Sequence, residues 1–401
     1  MTDKRLNILV FSSLFPNAVD PVLGVFVENR LRHFLRDTGH TATVVAPVPW
    51  FPFRGRIWGR YGRYAAVPAR EIRAGVEVFH PRFLVLPKVG MAFTPGSLAR
   101  AGERCIRGLL RSGKKFDLID AHYLYPDAVA ATVVGRKFDL PVVMTARGSD
   151  VTEIARMKGP GKRIVKAADD AAHVIAVSNS LRDELLTMGV KAAKVTTLRN
   201  GVDAEKFSPA ARQEIRAKWA GTGSVALYAG WLISRKRVDI FIDAVAKLGP
   251  DTTAVVAGEG PLLASLRQRA EARGIANRTV FLGKVAPADM PGVMAAADVL
   301  VLPSEREGWA NVLLEAMACG TPVVSRAVAG ALDLVTVPEA GALVEGDDPE
   351  AYADAMARLF ADPPDRGSTR NYALSFGWRE ISLAQERIFM SVTGDEYPTW
   401  E

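Results

Sequence analysis

The chain has 401 residues, 49% of them hydrophobic, which is enough to bury two separate cores and excludes a disordered polymer. Its two cysteines, Cys105 and Cys319, lie far apart and exclude a disulfide framework, so a reducing cytoplasm is the expected compartment. The formal charge of +7 is unevenly spread, because residues 51–115 hold fourteen Lys and Arg against Glu71, Glu77 and Glu103, a local balance of +11.

In chain order, residues 7–12 read as a first strand, 26–36 as a helix and 41–47 as a second strand. The start passes from Met1 directly into apolar residues 8–11 without a signal-cleavage pattern, and no run of 18 apolar residues reads as a membrane span. Residues 50–61, WFPFRGRIWGRY, then interleave aromatic rings with arginines. Such a composition suits a bilayer interface, with rings such as Trp50, Phe51, Phe53 and Trp58 buried and Arg54, Arg56 and Arg60 facing anionic headgroups. An ordinary solvated face fits the same residues. Nucleic acid is disfavoured, since no zinc-finger spacing or RNA-binding signature is present, and Pro and Gly argue against a regular amphipathic helix.

Residues 117–121, 141–145 and 174–178 read as further buried strands, with a helix starting near Ser180. Residues 194–198 lead into Asn200-Gly-Val-Asp203, and residues 208–210 interrupt regular structure. The β-α pattern then restarts with strands at 224–229, 253–257, 279–281, 298–302 and 322–325, separated by helices at 238–247, 262–273, 289–296 and after Ala310. Two doubly wound α/β domains are expected, with ligands at the cleft outside the C-terminal strand ends.

The most informative stretch is Glu307-Gly-Trp-Ala-Asn-Val-Leu-Leu-Glu315, which sets two carboxylates eight residues apart across a loop-to-helix junction. Gly308 permits close approach, Asn311 is placed to cap the helix, and Val312, Leu313 and Ala316 face the core. Ionised carboxylates are pure acceptors, matched to the hydroxyl groups of a sugar or ribose. A surface turn with a capping acid is the plain alternative.

These residues resemble the E-x7-E signature of family 4 retaining glycosyltransferases. Asn200-Gly-Val-Asp203 with Phe207, Gly258-Glu-Gly-Pro261 and Val301-Leu-Pro-Ser304 resemble further family segments, with Gly230, Lys236 and Gly283 in register. The resemblance covers about residues 6–390 and is strongest from 225 to 345. It implies the GT-B fold, two Rossmann-like domains facing across a cleft: an acceptor-binding domain at 1–205, a nucleotide-sugar domain at 206–375, and a helical segment at 376–401 crossing back toward the first.

The same resemblance implies that Glu315 grips ribose hydroxyls, that Glu307 positions the donor sugar, and that Lys236 contacts the diphosphate. Gly308 and Asn311 complete this donor side. Trp231 stands where many relatives carry a second phosphate-binding arginine, and Arg235 is the residue nearest in sequence to replace it. In the first domain Arg147 stands where the family commonly has histidine, a change that removes a neutral imidazole and supplies an anion-binding fork. Asp150 is placed to orient Arg147 or cap the next segment, and His122 ends a strand as an acceptor-site candidate. Gly24 stands in a first loop that relatives bring to the donor phosphates, though it lacks their double glycine; a simple turn into the helix is the alternative.

No His/Cys/Asp cluster has metal spacing, and neither a Walker loop nor a complete G-x-G-x-x-G is present, so no metal or tightly bound cofactor is expected. The expected activity is metal-independent, retaining transfer from a nucleotide sugar to a glycan or lipid-linked saccharide, in surface polysaccharide or glycolipid synthesis. The expected location is cytoplasmic, touching the inner face of an anionic membrane. A nucleotide-sugar 2-epimerase and a noncatalytic sugar- or membrane-binding protein are the alternatives.

Overall fold

Short runs of Val, Ile, Leu and Ala buried on both faces form the central strands of the computed structural model, which describes residues 5–51, 53, 55, 57, 59–85, 90–209, 212–217, 219 and 223–394. The chain divides into two compact units. One comprises residues up to Arg199 and those from Trp378 onward; the other runs from Asn200 to Gly377.

The first unit carries β1 (Asn7–Phe11), β2 (Thr41–Val45), β3 (Val48–Pro49), β4 (Arg70–Arg73), β5 (Val76–Phe79), β6 (Arg82–Phe83), β7 (Leu118–His122), β8 (Val142–Ala146), β9 (His173–Ala176) and β10 (Val195–Thr197). Eight of these form one sheet in the order β10-β9-β8-β7-β1-β2-β5-β4, parallel except for the β4–β5 hairpin. The remaining pair, β3 and β6, forms a separate small ladder. Strands β7 and β8 are buried at every residue. The final helix, Trp378–Val392, lies on the helix Val25–Thr38: His33 stacks on Trp378 at 5.0 Å and Phe34 meets Phe389 edge-on at 5.3 Å. Trp378, Ile381, Phe389 and Met390 thereby join the core built on Ile8, Val10 and Phe15.

The second unit carries β11 (Ser224–Ala229), β12 (Thr252–Ala257), β13 (Thr279–Gly283), β14 (Val299–Leu302), β15 (Val323–Arg326) and β16 (Gly341–Val344), all parallel in the order β13-β12-β11-β14-β15-β16. This is the doubly wound nucleotide-binding order, with its switch point between β11 and β14. Asn200-Gly-Val-Asp203 belongs to this unit, a few residues before the break expected from sequence, because Val202 bridges to Gly377 and its N–H donates to Phe376 O at 3.0 Å.

A helix does form in the arginine-rich segment, at Gly59–Ala66. Arg54, Arg56 and Trp58, named above as membrane contacts, lie outside the described residues, as does the side chain of Arg60. No helix among the described residues is long and apolar enough to cross a membrane.

Candidate functional site

In the second unit, β11 and β14 are neighbours, and the loops leaving their C-terminal ends carry the sequence-selected residues. Lys236 follows β11 and Glu307 follows β14; Lys236 Nζ lies 2.5 Å from Glu307 Oε1, with both side chains mostly shielded from solvent. The backbones are joined too, since Glu305 N–H donates to Arg235 O at 2.9 Å. Adjacent Arg237 takes a left-handed backbone and pairs with Asp239 and Asp347, so its charge is committed elsewhere. The Arg235 guanidinium makes no hydrogen bond or ion pair among the described residues. Trp231 is exposed and contributes only its carbonyl, which accepts from Tyr228 Oη at 3.0 Å.

This loop is held from beneath by a glycine contact. A Cβ on Gly258, in the turn after β12, would sit 1.9 Å from Gly230 O, so only glycine permits the two turns to touch. On the other side, Gly330 N–H donates to Glu307 O at 3.1 Å, and a Cβ there would press on the Trp309 backbone. Half-buried Gly308 lies between these fixed points.

Asn311 does not cap the following helix, Asn311–Ala318. It is the first helical residue, the preceding Ala310 offers no side-chain cap, and Asn311 Oδ1 accepts instead from Asn200 Nδ2 at 3.3 Å. The family-like asparagine segment and the acidic helix are thus joined by an amide pair. One turn further, the Glu315 carboxyl makes no side-chain hydrogen bond among the described residues. Burial pushes its pKa up to about 7, against the weaker opposing effect of Lys206.

In the first unit, β1 and β7 flank the corresponding switch point. Gly24 precedes the Val25–Thr38 helix with φ of 63°, and a Cβ there would lie 2.2 Å from Leu14 O. Both the conformation and the packing of this loop therefore require glycine. Asp127 ties the same loop to the β7 side by accepting from the Ser13 N–H and from Ser13 Oγ at 3.0 Å. Its carboxyl is pushed up to about 7, chiefly by burial.

Arg147 and His122 are brought together: Arg147 Nη2 donates to His122 Nδ1 at 2.8 Å, while His122 Nε2 faces Asp120 Oδ2 at 3.2 Å. The Arg147 guanidinium also lies 5.4 Å from the Phe26 ring. Asp150 neither pairs with that guanidinium nor faces outward. It is fully buried and accepts from the backbone N–H groups of Arg147 at 3.1 Å, Gly148 at 2.7 Å and Leu124 at 2.8 Å, which fixes the turn that carries Arg147. Sequence reasoning passed over Asp120, Arg30 and Gln385, which complete this cluster. Asp120 sits two residues before His122, the same-face spacing of a strand, and that was the available signal.

Among the described residues no group of three or more His, Cys, Asp or Glu side chains is placed to hold a metal ion. Cys105 and Cys319 are both free.

The model for glycosyltransferase family 4 matches residues 27–206, and that for glycosyl transferases group 1 matches residues 211–376. The chain is 31% identical to D-inositol 3-phosphate glycosyltransferase 1 of Catenulispora acidiphila, over 71% of this chain and 74% of that protein. It is 28% identical to the putative teichuronic acid biosynthesis glycosyltransferase TuaC of Bacillus subtilis, over 88% and 89%. Among solved structures, sucrose-phosphate synthase from Thermosynechococcus elongatus superposes with a TM-score of 0.78 at 20% identity, covering 98% of this chain and all of that one. Anabaena HepE in complex with UDP-glucose gives 0.74 at 21% identity, covering 96% and 100%. The fold is therefore GT-B, and the chain belongs to the family 4 glycosyltransferases. It moves a sugar from a nucleotide-sugar donor to a saccharide acceptor.

Proposed function

We propose that this enzyme is a retaining, metal-independent glycosyltransferase, with its donor side in the Asn200–Gly377 unit and its acceptor side in the other. The observation that carries the reading is a set of complementary groups on the β11 and β14 side of one sheet. Among the described residues, Lys236 is held by Glu307, the Arg235 guanidinium has no hydrogen-bond or ion-pair partner, and Glu315 has a desolvated carboxyl with no side-chain hydrogen bond. The cations compensate the diphosphate and its growing charge as the sugar leaves, the role a metal ion fills elsewhere. Arg235 takes the second phosphate contact that Trp231 cannot make. Glu315 accepts from ribose hydroxyls and Glu307 from the transferring sugar, with Gly308 and Asn311 shaping the turn between them. In the first unit, Arg147 contributes an anion-binding fork backed by His122 on the turn that Asp150 fixes, with His122 and Asp150 on the acceptor side, and Gly24 brings the first loop to the donor phosphates.

The test is transfer with a panel of UDP-, GDP- and ADP-sugars and cellular lipid and glycan acceptors, followed by NMR of the product. Acceptor-dependent nucleotide release, undiminished by a chelator, with the donor's anomeric configuration kept in the product, is expected. Inversion at the anomeric carbon, or loss of activity with the chelator, would overturn the corresponding part.

A specific observation favours a membrane-presented acceptor of the lipid-linked class, used in surface polysaccharide or glycolipid synthesis. Trp50, Phe53 and Ile57 (87% exposed) begin where Leu84 and Val85 begin, because Trp50 N–H donates to Phe83 O at 2.7 Å where the β3–β6 ladder ends. These exposed apolar residues lie on the two chain stretches that leave one ladder, in or next to the +11 region, a match for anionic headgroups over acyl chains. Salt-sensitive co-sedimentation with anionic but not neutral vesicles is expected, and Phe53→Ser with Ile57→Ser should reduce it at least several-fold. No sedimentation at low salt would reject peripheral attachment at the inner membrane face.

A further inference from the structure

Five side chains in the first unit form a buried chain whose donor and acceptor directions are fixed by chemistry. Arginine only donates, so the 2.8 Å contact from Arg147 Nη2 requires a lone pair on His122 Nδ1. In neutral His122 the ring proton is then on Nε2, where it faces Asp120 Oδ2 at 3.2 Å. Gln385, on the final helix, is oriented just as firmly: its Oε1 accepts from Arg30 Nε at 2.6 Å and its Nε2 donates to the same Asp120 oxygen at 3.4 Å. Arg30 also donates to the carbonyls of Leu198 at 3.3 Å and Arg199 at 3.2 Å. Asp120, His122, Arg30 and Gln385 are each at most 2% exposed, whereas Arg147 at the end of the chain is only half-buried.

We infer that Asp120 is a positioning residue, which fixes the Nε2–H tautomer of His122 and so aims the Arg147 guanidinium at the substrates. The inference rests on the reading above that Arg147 contacts substrate. Asp120, Arg147 and Arg30 are the charged groups facing His122. Burial lowers the His122 pKa, with Asp120 opposing and Arg147 reinforcing, which keeps the ring neutral and able to accept from Arg147. If the proton moved to Nδ1, two donors would face each other across 2.8 Å and Arg147 would swing away. The effect on the reaction would come through a tautomer, as it does when a carboxylate orients a catalytic imidazole.

The experiment compares the wild type with Asp120→Ala, Asp120→Asn and Arg147→Ala, using transfer kinetics and nitrogen NMR of 15N-histidine-labelled protein. The wild type should show neutral His122 protonated at Nε2. Asp120→Ala should convert a substantial fraction to the Nδ1–H form and lower kcat about 10²-fold with a smaller change in donor KM. Asp120→Asn keeps a carbonyl acceptor for His122 Nε2–H and Gln385 Nε2–H and keeps the shape of the site, so it should retain the Nε2–H form and recover part of kcat; if the alanine variant fails to fold, an Nδ1–H ring with wild-type kcat in the asparagine variant would overturn the inference. An Nδ1–H tautomer in the wild type, or unchanged tautomer and kcat in folded Asp120→Ala, would overturn the inference. Wild-type turnover in Arg147→Ala would instead remove the substrate role of Arg147, while the tautomer spectra would still decide whether Asp120 sets the ring.

Discussion

Burial of Glu315 sets the stability of the fold against the binding role proposed for its carboxylate. Its carboxyl pKa is raised to about 7 in the fold against 4.5 in a solvated chain, with burial as the cause. A raised carboxyl pKa means that the folded state favours the protonated form. The associated stability is full below about pH 4.5 and is lost as pH rises toward 7, by up to about 3 kcal/mol. Glu315→Gln should therefore match the wild type in denaturant unfolding near pH 4.5 and exceed it at pH 8. Activity should run the other way, because only the ionised carboxylate makes charge-assisted bonds to hydroxyls. Wild-type kcat/KM should rise through about pH 7, and the glutamine variant should be lower by roughly tenfold to a thousandfold at pH 8 and lack that rise. Lys236→Ala should cost a similar factor at subsaturating donor, since it removes the phosphate contact proposed above and leaves Glu307 without its 2.5 Å partner. Wild-type turnover in either folded variant would reject its assigned role. Glu307 and Glu315 were both legible in sequence, but their opposite states were not: among the described residues Glu307 is paired and Glu315 is not, which depends on what each carboxylate meets in space.

At the level of elements, the β-α units were legible because strands buried on both faces need uninterrupted apolar runs, and β11 coincides with the expected 224–229. The β4–β5 hairpin is not legible in the sequence because Arg70, Glu71 and Arg73 on the edge strand and Glu77 on its neighbour interrupt such a run where the sheet is partly solvated. Asn311 resembles a cap by residue type alone; its partner Asn200 lies 111 positions away in the chain, beyond any local pattern. The contact between the turns after β11 and β12 carries its own prediction. Gly258→Ala places a methyl group 1.9 Å from a backbone oxygen, so main chain rather than a side chain must yield. A stability loss of about 1–3 kcal/mol in urea unfolding is expected, with weakened nucleotide binding by calorimetry because the Gly230–Lys236 turn shifts. Stability falling while nucleotide affinity stays at the wild-type value would show that this contact does not shape the donor side.

For the molecule as a whole, the first unit is closed by residues from both ends of the chain. Phe389 is fully buried against Phe34, and His33 stacks on Trp378, so the final helix is part of the core. Phe389→Ala should cost about 3–5 kcal/mol of unfolding free energy. A loss below 1 kcal/mol would mean that the helix only lies on the surface. The amino-acid sequence by itself determined the class of fold, the two doubly wound units and the acidic pair. These depend on apolar periodicity, glycine at tight turns and residue spacing, all local properties of a chain. It also marked Arg147 and His122 separately. Only the tertiary structure decided that Arg147 donates to His122, that Asp120 and Gln385 stand behind them, that Asn311 serves Asn200, and that among the described residues Arg237 is paired while the Arg235 guanidinium is not. The reason is physical: the direction of a hydrogen bond and the cost of a buried charge are set by neighbours in space, and those neighbours come from strands and helices far apart in the chain.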